Sequence, residues 1–399
     1  MNRDNVRYAE PADFTPPAAV DRIQRLGLIV GIVGILGLAV GFFLSPAYFF
    51  RAYLVGWVFW MGIALGCLAL SMLHHLTHGG WGIVVRRVME AASRTLPLML
   101  VLMIPILLGM KQIYLWADPN AVRGDEILEA KAPYLNVGFF IVRQLIYFAV
   151  WGGFAWLFSR MSARQDRGDD PGITRRMQAF AGPGIILYCL LITFASVDWL
   201  MSTDPHWFST IYGIYLLGSQ GLAAIAFLIL MGVFLRHHEP LSRVLTPHHF
   251  HDWGKLMLAF VMLWAYFCFS QFLITWSGNL PEEIAWYLHR IRHGWGFVAV
   301  ALALFHFALP FVMLLSRGLK RHASRLRWVA IWMLFMRLVD LVWQVEPSFK
   351  VQTPAMYWLY LAAPAAIGGL WLVFFVWQLK RRPILPVNDP YLQAELAHE

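Results

Sequence analysis

The sequence predicts an all-α membrane protein with ten transmembrane helices. Of its 399 residues, 14% are charged and 59% are hydrophobic, whereas a soluble protein carries roughly 25% charged residues. Ten segments of about 20 residues are apolar enough to cross a bilayer as helices. We number them spans 1 to 10, and they lie near 26–49, 52–76, 92–112, 137–159, 180–202, 210–235, 255–277, 295–316, 328–345 and 356–379.

The distribution of Lys and Arg predicts the orientation of these spans. With ten spans, both termini lie on one side of the membrane, and 23 of the 32 Lys and Arg residues fall there. Seven fall on the opposite side, and Arg143 and Arg337 lie within spans. Because cytoplasmic loops are enriched in Lys and Arg, both termini are predicted to be cytoplasmic. The net charge of +9 therefore needs no nucleic-acid partner.

The order of the spans predicts one membrane domain between two polar tails. Residues 1–25 and 380–399 are polar and enclose the membrane domain 26–379. Spans 2–5 and spans 6–9 start on the same side, which permits two parallel four-helix units. Pro97 and Pro105 interrupt span 3, where we expect a kink because proline removes a helical hydrogen bond.

The cysteines and histidines do not predict a cofactor held by this chain. Cys67, Cys189 and Cys268 each lie within a span and form neither CxxC nor CxxCH, which does not support an iron–sulfur, zinc-ribbon or c-type haem site. A b-type haem needs facing histidines deep in adjacent spans, and His306 is the one candidate. The HHFHD run at 248–252 matches no zinc spacing that we know, so no metal is expected.

Ionisable residues within the spans are the first functional candidates, because such groups are costly in a membrane unless they are paired or functional. Arg337 and Asp340 lie three residues apart on span 9, on one helical face. They form either a structural ion pair or a relay in which Asp340 exchanges a proton and Arg337 tunes the pKa of Asp340. His306, near the middle of span 8, is either a packing residue or a proton carrier.

A second group of candidates lies where span 5 ends and span 6 begins. Asp198 is near the end of span 5, with Arg143 and Gln144 of span 4 as candidate partners. Asp204 precedes span 6 and is predicted to cap it, and His206 follows two residues later. Glu282, in the loop after span 7, is expected to be a solvated carboxylate.

The third group lies at the cytoplasmic ends of the spans. Asp252 and Lys255 follow three histidines just before span 7, and Glu90 begins span 3 one helical turn before Arg94. By depth alone, the candidates form a ladder across the membrane, as a proton path requires. Its members are Glu90, Asp252, Lys255, His306, Arg337, Asp340, Asp198, His206 and Glu282.

Three long segments resemble a known family. DWLMSTDPHWFSTIYGIY at 198–215, HHFHDWGKLMLAFVMLWAYFCFSQFLITWSGNLPEE at 248–283, and WYLHR with a following GW at 286–295 resemble the F-type subunit of bacterial alternative complex III. That family is also known as quinone-binding subunit 2 of quinol:cytochrome c oxidoreductase. It belongs to the NrfD/polysulfide-reductase superfamily of membrane anchors.

The resemblance implies a fold and a role. The fold is two four-helix bundles, spans 2–5 and 6–9, with a flanking helix at each end. The complex oxidises menaquinol in the inner membrane and passes electrons through iron–sulfur clusters and c-type haems held by partner subunits. A related C-type subunit is the better candidate for the quinol site. This chain is then a non-catalytic scaffold with a proton route, without a redox cofactor of its own, near menaquinone.

Within the resembling segments, the proton role falls on Asp198, His206, Asp252, Lys255 and Glu282. Its extension to Glu90, His306, Arg337 and Asp340 rests on the depth argument. Two alternatives stay open. One is a free-standing secondary transporter that moves a substrate with protons, for which broken helices paired between the halves are the signature. The other is a purely structural anchor whose buried charges are only paired.

Overall fold

The computed structural model describes residues 14–168, 172–349 and 351–392. In this part of the chain every regular element is a helix, and ten helices are long and apolar enough to cross a membrane. The predicted multi-pass helical protein is therefore confirmed. The ten helices, α1 to α10, are Val20–Leu44, Pro46–Thr77, Arg86–Leu108, Val137–Asp166, Ile173–Thr203, Tyr212–Leu235, Pro247–Gly278, Trp295–Leu315, Ala323–Ser348 and Pro354–Leu379.

Several helices begin earlier than the apolar segments predict. The prediction placed the start of span 7 near residue 255, whereas α7 begins at Pro247. Thr246 caps it with a reciprocal hydrogen-bond pair to His249, an arrangement that satisfies the free backbone groups of a first turn. Backbone hydrogen bonding thus continues beyond the apolar stretch, so Asp252 and Lys255 lie in the first turns of α7 rather than before it.

Two of the ten helices are interrupted away from their ends. α3 consists of Arg86–Ser93, Leu96–Val101 and Ile104–Leu108, so the break expected from Pro97 and Pro105 is confirmed. α8 contains a π-helical stretch, Leu302–Ala308, between two α-helical parts. The sequence analysis missed this stretch. Its one local signal is Pro310, whose missing N–H prevents a regular hydrogen bond to the turn that contains His306.

The first and last helices pack along each other. Small residues of α1 meet small residues of α10 so closely that a Cβ built at Gly369 would lie 2.2 Å from the Cα of Gly31. A Cβ at Gly34 would lie 2.3 Å from the backbone nitrogen of Ala366. Small residues allow this approach, which is typical of membrane helix pairs. α2 contacts both partners of the pair.

The centre of the protein is formed by α2 and α6. In each, 89% of the most apolar stretch is buried by protein. The two helices pack against each other, α2 also contacts α3, α5 and α10, and α6 contacts α5, α7 and α9. Polar groups that lie between α2 or α6 and these neighbours are therefore enclosed by protein rather than by lipid.

The two ends of the bundle differ in their connections. We call the end that carries residues 109–136, 204–211, 279–294, 349 and 351–353 the loop face. The described parts of both termini meet at the opposite end, the terminal face, where Ile384 donates its backbone N–H to the Phe14 carbonyl over 2.7 Å. Residues 380–392, predicted as part of a tail, pack back onto this face, and Leu385 and Asp389 are buried.

Candidate functional site

Three fully buried carboxylates lie in the loop-face half of the membrane helices. They are Asp198 of α5 and Asp340 and Glu346 of α9, and each has no exposed surface. An arginine lies next to each one: Arg143, Arg337 and Arg51 respectively. Charged groups withdrawn from water need such a partner to remain charged. The three sites differ in how well the carboxylate is satisfied.

Asp198 is fully hydrogen-bonded. Arg143 of α4 donates from Nε to Oδ2 over 2.9 Å and from Nη2 to Oδ1 over 2.7 Å. Tyr147 and Gln144, on the same helix, donate to Oδ2 over 2.9 and 3.3 Å. The sequence analysis considered Arg143 and Gln144 as partners, and both are. Trp199 in turn holds the Gln144 side chain through its indole N–H.

Asp340 joins three helices. Arg337, one turn earlier on α9, donates to Oδ2. Tyr215 of α6 donates its hydroxyl to Oδ1 over 2.5 Å, and Trp264 of α7 points its indole N–H at Oδ2 over 3.4 Å. His306 of α8 packs against Trp264, with ring centroids 4.1 Å apart.

The polar chain from Asp340 continues toward the loop face. Gln344 donates to the Tyr215 hydroxyl over 2.9 Å and accepts a hydrogen bond from Tyr212 over 2.8 Å. All of these side chains are buried. Hydrogen-bonded hydroxyl and amide groups of this kind hold a carboxylate in place and polarise one another.

His306 is the least satisfied residue near Asp340. Its side chain is fully buried and neither ring nitrogen has a hydrogen-bond partner. Buried polar groups without a partner are uncommon and call for an explanation. Its position in the π-helical stretch is consistent with a functional constraint, since such stretches are frequent at functional sites.

A cavity of about 590 Å³ reaches Asp340 between α6, α7 and α8. Its wall is almost entirely aromatic and aliphatic, and the polar groups of Tyr212, Tyr215 and Asp340 are gathered in it. The other large rings of the wall are Trp264, Tyr266, Phe269, Phe272, Trp286, Tyr287, Phe307 and Trp343. This arrangement suits a flat, lipid-soluble ligand with polar atoms on its ring.

Glu90 lies at the terminal face in a dense ionic network. The expected pairing with Arg94 is wrong: Arg86 and Arg87 donate to its two carboxylate oxygens over 2.9 and 2.8 Å. Arg94 instead donates to the backbone carbonyl of Gln378. The helical segment ends at Ser93, and the Arg94 side chain after it is directed toward α10. Asp389 closes this network from the C-terminal segment, 2.5 Å from Arg86.

The loop-face candidates are partly exposed and differently paired. His206 contacts Asp125 over 2.6 Å. This hydrogen bond, together with backbone donors at Leu128 and Ile127, lowers the pKa of Asp125. Glu282 is exposed in the first turn of the helix Pro281–Ile291. It contacts none of the buried carboxylates.

The predicted role of Asp204 as the cap of span 6 is wrong. α6 starts at Tyr212, after Ile211, and Asp204 lies in a turn well before it. Its carboxylate faces His289 over 3.7 Å. The reason is that residues 204–211 cross the loop face before the chain enters the membrane again. The Asp204 carboxylate is therefore too far from the first N–H groups of α6 to cap them.

Asp252 and Lys255 form a surface pair at the terminal face. Lys255 donates to Asp252 over 3.0 Å, and His248 lies 3.1 Å from the same carboxylate. His248 and Lys255 are exposed. In the described ranges, no cluster of three or more His, Cys, Asp or Glu side chains is arranged to hold a metal ion.

The predicted ladder is thus only partly assembled. His306, Arg337 and Asp340 lie together, and Asp198 is buried but belongs to a separate cluster on α4 and α5. No hydrogen bond between described residues joins the two clusters. Glu346, Arg51, Tyr212 and Tyr215 were missed by the sequence analysis. Glu346 stands before Pro347 at the end of an apolar span, where sequence alone suggests a solvated carboxylate.

No protein-family profile matches the chain, and no curated protein matches it at a significant level.

Proposed function

We propose that this chain is an integral membrane subunit of a menaquinol-oxidising, alternative complex III-type oxidoreductase and that it carries protons near Asp340. It holds no redox cofactor itself, and iron–sulfur and c-type haem subunits take up the electrons. The observation that carries the proposal is the position of Asp340. Its carboxylate lies between a hydrogen-bonded polar chain on one side and an aromatic cavity on the other.

The chemistry of quinol oxidation supports this role. Each quinol that loses two electrons also releases two protons, so a titratable group must lie within hydrogen-bond reach of a ring oxygen. The cavity offers aromatic walls for a menaquinone ring and an apolar passage for its isoprenoid chain. Asp340 supplies an acceptor and Tyr215 a hydroxyl at the polar end. A related C-type subunit is expected to oxidise quinol, and this cavity is a second quinone position beside a proton route.

His306 is the next group on this route. It packs against Trp264, fully buried, with both ring nitrogens open. A neutral imidazole can take up a proton at one nitrogen and release it from the other. Asp340 and His306 therefore provide two exchange positions at membrane depth, and Arg337 is the positive partner of the carboxylate.

The helix packing is consistent with the proposed two four-helix bundles. α2 and α6 are the first helices of the two units, and they form the central contact. α1 and α10 lie together beside α2. In the complex, the surfaces of α4, α5, α7 and α8 that are exposed in the isolated chain face lipid or partner subunits.

The test begins with the tagged native chain, purified in mild detergent. Copurification of iron–sulfur and c-type haem subunits, with menaquinol-dependent cytochrome reduction, is expected. Asp340→Asn in that complex is expected to assemble and to lose proton-coupled turnover, whereas Glu239→Gln, an exposed carboxylate, is expected to be neutral. A colourless single-subunit preparation would overturn the proposal.

A proton-coupled secondary transporter is the second candidate. A cavity of about 1050 Å³ opens on the loop face and is lined by charged and titratable side chains, which favours binding of a polar substrate. The interrupted helices do not favour it. α3 and α8 are not equivalent in two parallel four-helix units, and α7, the counterpart of α3, is continuous from Pro247 to Gly278. Paired interruptions are typical of transporters.

A further inference from the structure

We propose that Glu346 is a proton-exchange residue that connects the membrane interior with the loop-face cavity. The proposal deepens the proposed proton route and rests on it for the source of the protons. It identifies the group through which protons pass between Asp340 and the aqueous phase.

The carboxyl group of Glu346 accepts one well-formed hydrogen bond, and Tyr48 and Arg51 lie near it. Tyr360 of α10 donates its hydroxyl to Oε2. Oε1 has no hydrogen-bond partner, although the side chain is fully buried. The nearest cation, Nη1 of Arg51, lies 3.6 Å from Oε1, beyond hydrogen-bond distance, and donates instead to the carbonyl of Val351 over 2.9 Å.

The comparison with the other two buried carboxylates is informative. Asp198 receives hydrogen bonds on both oxygens from an arginine, a tyrosine and a glutamine. Asp340 receives them on both oxygens from Arg337 and Tyr215. Hydrogen bonds to a carboxylate favour its ionised form, and burial without them favours the protonated form. Of the three, Glu346 is the carboxyl group with the fewest hydrogen bonds.

Glu346 adjoins the large loop-face cavity. It immediately precedes Pro347, Ser348 and Phe349, all of which line that cavity. Arg51 lies over the Phe349 ring, 3.9 Å from its centroid. The cavity wall carries titratable groups that can pass a proton to bulk solvent, namely His206, His289 and His293.

The path inward follows α9. Asp340, Gln344 and Glu346 succeed one another toward the loop face, and Gln344 already connects to Asp340 through Tyr215. No hydrogen bond between described residues joins Gln344 to Glu346, so in this proposal the proton crosses from this chain to Glu346 Oε1 through water. Glu346 then releases it to water in the cavity and becomes a carboxylate balanced by Arg51.

The neighbourhood of Glu346 contains few other charges. Apart from Arg51, the charged and titratable groups that face it come from α2, from the helix Pro281–Ile291 and from α10. These groups are Tyr48, Arg290, Tyr357 and Tyr360. Arg290 donates hydrogen bonds to the Gln344 carbonyl and to the Ser348 hydroxyl. A change in the charge of Glu346 is therefore balanced mainly by Arg51.

Infrared difference spectroscopy of the full chain in its native membrane complex tests the assignment. A carboxylic C=O band that appears and disappears reversibly with pH is expected, and it should vanish in Glu346→Gln. Tyr360→Phe should shift the same band, because the hydrogen bond to Oε2 is lost. Glu239→Gln should leave it unchanged. A band that persists in Glu346→Gln, or no shift in Tyr360→Phe, would overturn the proposal.

A second readout separates this inference from the proposed function. In liposomes, Glu346→Gln should slow proton translocation by at least about tenfold while electron transfer to cytochrome in detergent stays near normal. Loss of both activities with intact assembly contradicts a role limited to proton exchange. If the chain copurifies with no redox subunit, the proposed function fails, and the infrared band still decides whether Glu346 titrates.

Discussion

Arg143 and Asp198 form a bidentate pair deep between α4 and α5, with Nη2 to Oδ1 at 2.7 Å and Nε to Oδ2 at 2.9 Å. The same arginine donates to the Tyr134 carbonyl and stacks on the Tyr134 and Phe139 rings. Both charges of the pair are compensated, so the pair has the features of a structural ion pair. Asp340, with an orphan histidine and a cavity beside it, has the features of an exchange site.

This contrast predicts different outcomes for two similar substitutions. Asp198→Asn leaves Arg143 buried without a counter-charge, which costs about 3–5 kcal/mol. Asp340→Asn also uncouples an arginine, but it removes the group on which proton transfer depends. We expect Asp198→Asn mainly to lower the melting temperature of the complex and Asp340→Asn mainly to lower proton-coupled turnover. Thermal unfolding and turnover of both variants provide the measurement, and the reverse result would exchange the two roles.

His306→Phe separates packing from proton transfer. Phenylalanine keeps a ring against Trp264 and removes two buried nitrogens that have no partner. Because an unsatisfied buried polar group costs about 1–3 kcal/mol, the variant should be at least as stable as the native protein. Its proton-coupled turnover should fall. A stable variant with normal turnover would show that His306 only packs.

The contact between α1 and α10 predicts a sharp size limit at Gly34. A Cβ there would overlap the backbone of Ala366, so Gly34→Leu must push the two helices apart and should destabilise the protein by about 1–3 kcal/mol. Gly152→Ala on α4 is the matched control, because nothing lies within 4 Å of a Cβ at that position. Limited proteolysis of α1 and thermal unfolding compare the two variants. Equal behaviour would contradict the close helix contact.

The Asp125–His206 contact predicts that the loop 113–136 loosens in acid. The hydrogen bond from His206 holds the pKa of Asp125 below its usual value. The folded loop therefore binds fewer protons than the unfolded one, and the stabilisation is complete above the ordinary carboxyl pKa and disappears as the pH falls through the lowered one. Hydrogen exchange of residues 126–131 should rise in that range. Asp125→Asn should abolish the pH dependence.

The orientation of the chain is open to a direct labelling experiment. Glu282→Cys places a thiol on an exposed helix start at the loop face, and Cys67 is buried and Cys189 and Cys268 are at most partly accessible. In right-side-out cells, a membrane-impermeant reagent should label this cysteine. Labelling only after the membrane is broken would reverse the predicted cytoplasmic position of the termini.

The sequence by itself determined the class of the protein, the number of spans and the kink of α3. Apolar length and proline act locally, so they can be recognised without any knowledge of neighbours. It also identified Asp198, His306, Arg337 and Asp340 as candidate functional residues, because an ionisable residue in an apolar span can be recognised whatever the fold. The Arg337–Asp340 pair could also be predicted, because residues i and i+3 lie on the same face of a helix.

Only the tertiary structure decided which of these residues meet. The division between the Asp198 and Asp340 clusters depends on which helices pack together, and residues on α5 and α9 carry no local signal of that. Glu346 is the clearest case. It is buried next to Arg51 of α2, which lies far from it in sequence, and next to Tyr360 of the following helix α10. Sequence alone suggests that a carboxylate beside a proline at a helix end is solvated, because its burial depends on how other helices pack around it.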